Sequence, residues 1–238
     1  MFDVIPSIDP LRPESWEGKI FLSFDIDWAH DEVLADAIDI VEHAGVAATW
    51  FVTHDTPLLV RLRANPKFAL GIHPNFNELL RGSDRAGGDC DEVVESLKKL
   101  VPEARVVRSH SLVQSERLVD TFHHHGITHI SNFYIPETPT RLLAPWQLWD
   151  NMICVPHCWQ DNVSMRLHGT MEPPSLLPSA SLRVFDFHPI HVYLNTETVA
   201  RYEAARAVFQ HPQALVLHRG NDIQGARNTL LSVLAEGK

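Results

Sequence analysis

A chain of 238 residues with 45% hydrophobic and 21% charged residues has the make-up of an ordinary globular domain. A formal charge of −10 argues against a nucleic-acid partner, which needs clustered Lys and Arg, and no apolar run approaches the roughly 20 residues of a membrane span. Three cysteines without paired CxxC knuckles suggest neither a disulfide framework nor a structural zinc site, and the 15 histidines are the outlier.

The first 18 residues read as an irregular lead-in with no basic-then-apolar signal pattern, so a cytoplasmic protein is expected. "KIFLSFDI" (19–26) follows as a strand. "DEVLADAIDIVEHAGV" (31–46) has the spacing of an amphipathic helix through Val33, Leu34, Ala37, Ile38 and Val41, closed by Gly45. "AATWFVTH" is a second strand, "TPLLVRLRANP" a short helix, and "KFALGIHPN" a third strand stopped by Pro74. A Gly-rich loop, "RGSDRAGGD", leads to the helix "CDEVVESLKKLVP" and a fourth strand, "ARVVRSHS". The helix "SERLVDTFHHHGI" and a fifth strand, "THISNF", come next. Residues 134–178 are rich in Pro and Trp, with "NMICVPHCWQDN" as the best strand candidate. "SLRVFDFHPIHVYLN" (181–195) reads as one more strand, "TETVARYEAARAVFQH" as a helix, "HRGNDIQGARN" as a loop and "TLLSVLAEG" as a last helix. No repeat or low-complexity linker interrupts this order, so residues 1–238 are expected to form a single domain.

Strands alternating with helices point to a parallel sheet or barrel, in which chemistry collects at the C-terminal ends of the strands. Those ends carry Asp25 and Asp27, His73, Arg108 and His110, Trp159 and Asp161, and Asp186 and His188. Asp25 and Asp27 lie two apart and share a face if the strand persists, and burying two like charges needs compensation. One can bind a metal while the other accepts a proton from activated water; the alternative, capping the next helix, is better served by Asp31 and Glu32. His73 and Asn77 have the spacing that puts two donors on one face of a turn, although Asn is a poorer zinc ligand than His. Arg108 can hold a carboxylate bidentately or make a surface salt bridge. His188 suits a general acid or a core histidine bonded to backbone. Asp161 could orient that histidine or cap a loop, Trp159 could wall a substrate site or fill the core, and His110 is a second candidate substrate contact.

The motifs "LSFDIDW", "AATWFVT", "GIHPN", "RSH" and "FDFHP", in this order over residues 20–194, resemble the NodB homology domain of polysaccharide deacetylases, carbohydrate esterase family 4. The resemblance is closest to the branch encoded with bacterial O-antigen biosynthesis. It implies a distorted (β/α) barrel in which Asp25 is the base, Asp27 and His73 hold a divalent metal, with Zn²⁺ the first candidate, and Asn77 stands where the family has a second histidine. It further implies that Arg108, here without the usual following Pro, steadies Asp25, and that His188, oriented by Asp161, is the acid.

The expected activity is therefore hydrolysis of an N-acetyl or related acyl group on a sugar, in a precursor of bacterial surface polysaccharide. The alternatives are an amide or ester hydrolase acting on a small non-sugar molecule, or a catalytically silent sugar-binding barrel.

Overall fold

The computed structural model describes residues 1–82, 88–136, 142–167, 171 and 180–237. A short strand, β1 (Phe2–Asp3), lies against β2 (Ile20–Asp25), and every residue of β2 is buried. The strands β3 (Ala48–Val52), β4 (Phe68–Ile72), β5 (Val106–Val107) and β6 (His129–Ile130) follow, then β7 (Trp146–Gln147), β8 (Ile153–Cys154), β9 (Trp159–Gln160) and β10 (Val184–Phe187). They form one ten-stranded sheet in the order β7-β8-β6-β5-β4-β3-β2-β10-β9, with β1 attached to β2. All pairings are parallel except β7 with β8. Continuous apolar runs such as "IFLSF" belong to strands covered on both faces, which is where parallel sheets occur.

The sheet cannot be flat. In a flat sheet the seven steps from β8 to β9 would separate them by about 34 Å, at about 4.8 Å per step. Yet only residues 155–158 join them, and a chain that short reaches no more than about 18 Å. The sheet therefore curls until its two margins approach each other, giving the distorted, incompletely closed (β/α) barrel expected from the sequence.

Helices pack around it. Helix α1 (Asp31–Ala44) buries Val33, Leu34, Ala37, Ile38 and Val41; the His30 side chain accepts from the Glu32 amide at its start, and Gly45, at φ 66°, closes it. Next are α2 (Leu58–Ala64), α3 (Asn77–Leu80), α4 (Cys90–Leu100), α5 (Glu116–His124) and α6 (Asp161–Leu167). The chain ends with α7 (Pro189–Leu194), α8 (Val199–Ala205), α9 (Pro212–Leu215) and α10 (Ala226–Glu236). Among the described residues no helix is long and apolar enough to cross a membrane.

Three expectations need correction. The single strand read at 151–162 is two short strands, β8 and β9, near opposite margins of the sheet, and α6 already begins at Asp161. The strand read at 181–195 stops at Phe187, because Pro189 starts α7 at the position where its missing N–H costs nothing. The helix read at 196–211 starts at Val199, where Thr198 accepts from the Arg201 amide, and its regular part ends at Ala205. Much of the Gly-rich loop, and parts of the Pro- and Trp-rich segment, lie outside the described residues.

Gly71 is fixed by close approach. A Cβ there would stand 2.8 Å from both the Phe51 ring and the Val106 carbonyl oxygen. That ring in turn lies 4.4 Å below the Arg108 guanidinium. Gly71→Ala should therefore lower the unfolding free energy by about 1–3 kcal/mol through overpacking. Urea denaturation checks this: the midpoint should fall at unchanged slope, and an unchanged midpoint would show that the Phe51 ring yields freely.

Candidate active site

Register sorts the strand residues by face. Asp186 pairs with Ser23 and Asp25 with Phe51, so Ser23, Asp25, Phe51 and Asp186 share one face of the sheet. Phe24, Trp50 and Phe187 share the other, with the Phe24 and Trp50 rings stacked 4.2 Å apart. On the polar face Arg108, fully buried, is the only Lys or Arg side chain bonded to these acids among the described residues. Its Nη1 donates to Asp25 Oδ1 at 2.9 Å, to Ser23 Oγ at 3.0 Å and to Asp186 Oδ1. Nη2 donates to Ser131 Oγ at 3.0 Å and Nε to the Ser131 carbonyl at 3.2 Å. One guanidinium compensates one negative charge, and Asp186 is the acid that keeps its proton. Burial pushes its carboxyl well above the usual range against the pull of Arg108, and its Oδ2 is buried without a hydrogen-bond partner among the described residues.

Asp27 does not continue the strand. Its φ is 37° and that of Trp28 is 52°, so the chain turns immediately after Ile26. The turn brings Asp27 Oδ1 to 3.3 Å from His73 Nε2 and 3.3 Å from His110 Nδ1, and the two ring nitrogens are themselves 3.3 Å apart. Burial raises the Asp27 carboxyl, but the imidazoles of His110 and His73 and the charge of His188 outweigh it and hold the group well below the usual carboxylate range.

This triangle passes a test for a metal site. A tetrahedral ion with bonds of about 2.0–2.1 Å separates its ligands by about 3.3 Å, which is the spacing of all three donors. Asp27 Oδ1 is buried, and among the described residues no N–H is aimed at it well enough for a hydrogen bond. Two further groupings of acids and imidazoles lie nearby, Asp161 with His188 and His191, and Asp25 with Asp186 and His188. Their acids are already committed, Asp161 to His188 and Asp25 and Asp186 to Arg108.

His188 lies across from the triangle, with Nε2 3.6 Å from Asp27 Oδ2 and 4.0 Å from Asp25 Oδ2. Buried Asp161 holds it twice, accepting from the His188 backbone N–H at 2.7 Å and from Nδ1 at 2.7 Å. Burial favours the neutral ring, but the carboxylates of Asp161 and Asp27 outweigh it and raise the His188 pKa well above the usual value. The neighbouring His191 has no such partner, and burial pushes it down to about 4.

A cleft of about 380 Å³ opens from Asp27, His110 and His188 toward α6, α7 and α8. Two sequence expectations are revised here. Trp159 pairs with Phe185, which puts it on the face opposite Asp25, and it is buried with its ring 4.8 Å from that of Phe187. It does not line the cleft; the aromatic residue at the site is Trp28, 40% exposed, with its ring 5.2 Å from His110. Asn77 opens α3 and its side-chain nitrogen donates to Ser111 Oγ at 3.2 Å, while His110 occupies the third corner of the donor triangle. Sequence reasoning placed His110 and Asp186 at strand ends but missed this corner and the sharing of Arg108; a histidine two residues after the buried arginine was the available signal.

A buried acid fixed by Arg108, one protonated imidazole and a three-donor corner between them, set on a curled parallel sheet, are the parts an amide hydrolase needs. The model of the family described as WbmS-like polysaccharide deacetylase matches residues 22–206, and the chain belongs to that family. A crystal structure from Bordetella bronchiseptica, of a protein assigned as a polysaccharide deacetylase involved in O-antigen biosynthesis, is 42% identical with a TM-score of 0.92, covering 100% of this chain and 98% of that one. A Mycobacterium smegmatis structure assigned to polysaccharide deacetylases has 14% identity and a TM-score of 0.46, covering 93% of this chain and 91% of that one, and is too distant to carry an argument. No curated protein matches the chain.

Arg108→Met would leave Asp25 and Asp186 buried without their cation. It should destabilise the fold by about 3–5 kcal/mol, the range for breaking a buried pair. Chemical denaturation measures the loss, and a value under about 1 kcal/mol would show that Arg108 is not what neutralises these acids.

Proposed function

We propose that this deacetylase removes an N-acetyl or related acyl group from an amino sugar, in a precursor of bacterial surface polysaccharide. The observation that carries the reading is the 3.3 Å triangle of Asp27, His73 and His110, flanked by Asp25 on one side and His188 on the other. The Bordetella relative, assigned to O-antigen biosynthesis, supports the polysaccharide context. A cytoplasmic enzyme of this kind would meet nucleotide- or lipid-linked sugars.

Asp27, His73 and His110 would hold a divalent cation, zinc by the donor set of one carboxylate and two imidazoles. When bound, it supplies Lewis acidity, acidifying water and drawing negative charge off the acyl oxygen. Asp25 accepts the proton of the attacking water, and Arg108 fixes the carboxylate through Oδ1 so that Oδ2 is turned toward His188. His188 begins protonated, and its Nδ1 is tied to Asp161, so Nε2 is the atom that gives a proton to the departing nitrogen as the C–N bond breaks. The products are the carboxylic acid and the free amine.

Asp27→Ala and His110→Ala should each remove most bound zinc while the protein stays folded, since neither is a core hydrophobe. Asn77→Ala should keep it. Atomic emission on the purified variants reads this directly, and zinc retained in both of the first two, or lost in the third, would show that the triangle is not the site.

The roles of Asp25 and His188 separate by leaving group. Asp25→Asn should abolish turnover of every substrate, because an amide cannot take the proton. His188→Ala should lower turnover of an N-acetyl sugar by about 100-fold or more yet harm an activated aryl acetate far less, since that leaving group needs little protonation. Equal losses on both substrates would rule out the acid role.

A further inference from the structure

The cleft extends beyond the reacting groups, and two polar side chains on its α6 wall have work that the hydrolysis does not use. Asn162, Met165 and Arg166 lie at i, i+3 and i+4 on α6, hence on one face, and all three line the cleft. Asn162 Oδ1 is buried with no hydrogen-bond partner among the described residues, and the Asn162 backbone N–H donates to Asp161, the residue that holds His188. A buried acceptor left open is costly unless a ligand supplies the donor. Arg166 makes no ion pair or hydrogen bond among the described residues.

The other charges around the cleft are spoken for. Glu203 pairs with Arg206 at 3.1 Å, and Asp27 is surrounded by imidazoles. On a chain of formal charge −10 the general field repels anions, so an anionic ligand would need a local cation, and Arg166 is a guanidinium placed to be one. Trp28 and Phe209 add apolar surface to the same cleft. Its volume, about 380 Å³, is that of a small-molecule site, suited to a monosaccharide derivative more than to a long polymer.

We propose that the cleft selects an acidic amino sugar: Asn162 accepts from a hydroxyl or amide N–H next to the acyl group, and Arg166, one turn along α6, holds the carboxylate or phosphate of the same molecule. The proposal rests on the deacetylase reading for the identity of the sugar amide, and, for the anion, on Asn162 Oδ1 and Arg166 having no hydrogen-bond or ion-pair partner among the described residues. Arginine suits either anion because its planar fork matches two oxygens at once.

Calorimetric titration of the Asp25→Asn protein, loaded with zinc, tests it with three probes in gluco and galacto configurations: N-acetylhexosamine, the corresponding N-acetylhexosaminuronate, and N-acetylhexosamine 1-phosphate. At least one anionic probe should bind about 10-fold or more tightly than the neutral sugar, the scale of a charged hydrogen bond. A preference for the uronate identifies a carboxylate as the anion, and one for the 1-phosphate identifies a phosphate. Adding Arg166→Gln should bring the ratio to within about threefold, whereas Arg117→Gln, outside the cleft, should leave it intact. Asn162→Ala should weaken all probes to a similar degree. Equal binding of neutral and anionic probes, no binding of any, or a preference that survives Arg166→Gln would overturn the proposal. The wild-type protein is assayed in parallel for acetate release: a selective protein that releases none refutes the deacetylase reading alone, and one that turns over neutral and acidic sugars equally, with or without Arg166, refutes the anion alone.

Discussion

Arg108 is buried at the end of a strand only two residues long, and what surrounds it depends on its charge. Without that guanidinium, Asp25 and Asp186 would face each other in an interior where an unpaired charge costs several kcal/mol. With it, the two carboxyls share one cation and Asp186 keeps its proton, which is the economical solution for two acids and one guanidinium. The packing beneath follows from the same requirement. Phe51 offers its ring face to the guanidinium, and Gly71 is bare so that the ring fits beside the next strand. Ser23 and Ser131 absorb the remaining N–H groups, leaving the arginine nearly fully satisfied.

The second arrangement is built around His188, where strand gives way to helix. Pro189 forces the change, the His188 N–H is freed from the sheet, and Asp161 accepts both that N–H and the ring Nδ1. A single carboxylate thus sets the backbone, the tautomer and the charge of one histidine. Three residues on, His191 lies with its ring 5.6 Å from that of His188 and titrates in the opposite direction, because burial acts on it with too little opposing charge. The two histidines show that position beside the site does not decide protonation; the nearest carboxylate does.

Much of this was legible in the sequence, and the exceptions share a cause. Apolar runs gave β2, β3 and β4, and the 3.6-residue pattern with Gly45 gave α1 with its buried face. The polar residues that interrupt those runs drew attention to Asp25, His73, Arg108 and His188, which the structure brings into one neighbourhood. What could not be read was register and closure. Whether Trp159 or Gln160 faces Asp186 turns on one residue of parity, and periodicity cannot count parity in a two-residue strand. That β8 and β9 stand near opposite margins is a property of the curled sheet, invisible along the chain. The same limitation hid His110: only the folded turn after β5 shows that its ring reaches Asp27.

The pair of acids that begins the site is not held as a pair. Pleat geometry would aim Asp25 and Asp27 in the same direction, where their charges would repel. Instead the strand ends at Asp25, and two successive non-glycine residues adopt positive φ, each at a cost on the order of 1–3 kcal/mol. The surroundings hold that turn in place: the Trp28 N–H donates to Thr53 Oγ1 at 3.1 Å, and Gln210 donates to the Trp28 carbonyl at 3.0 Å. Strain of this size persists only where the structure over-determines it, and here it does two things at once. It moves the Asp27 carboxylate off the pleat to the imidazoles of His73 and His110, so that each acid has its own compensator, and it turns Trp28 outward to the cleft. One distorted turn thereby separates Asp25, held by Arg108, from the donor corner at Asp27 while keeping both beside His188.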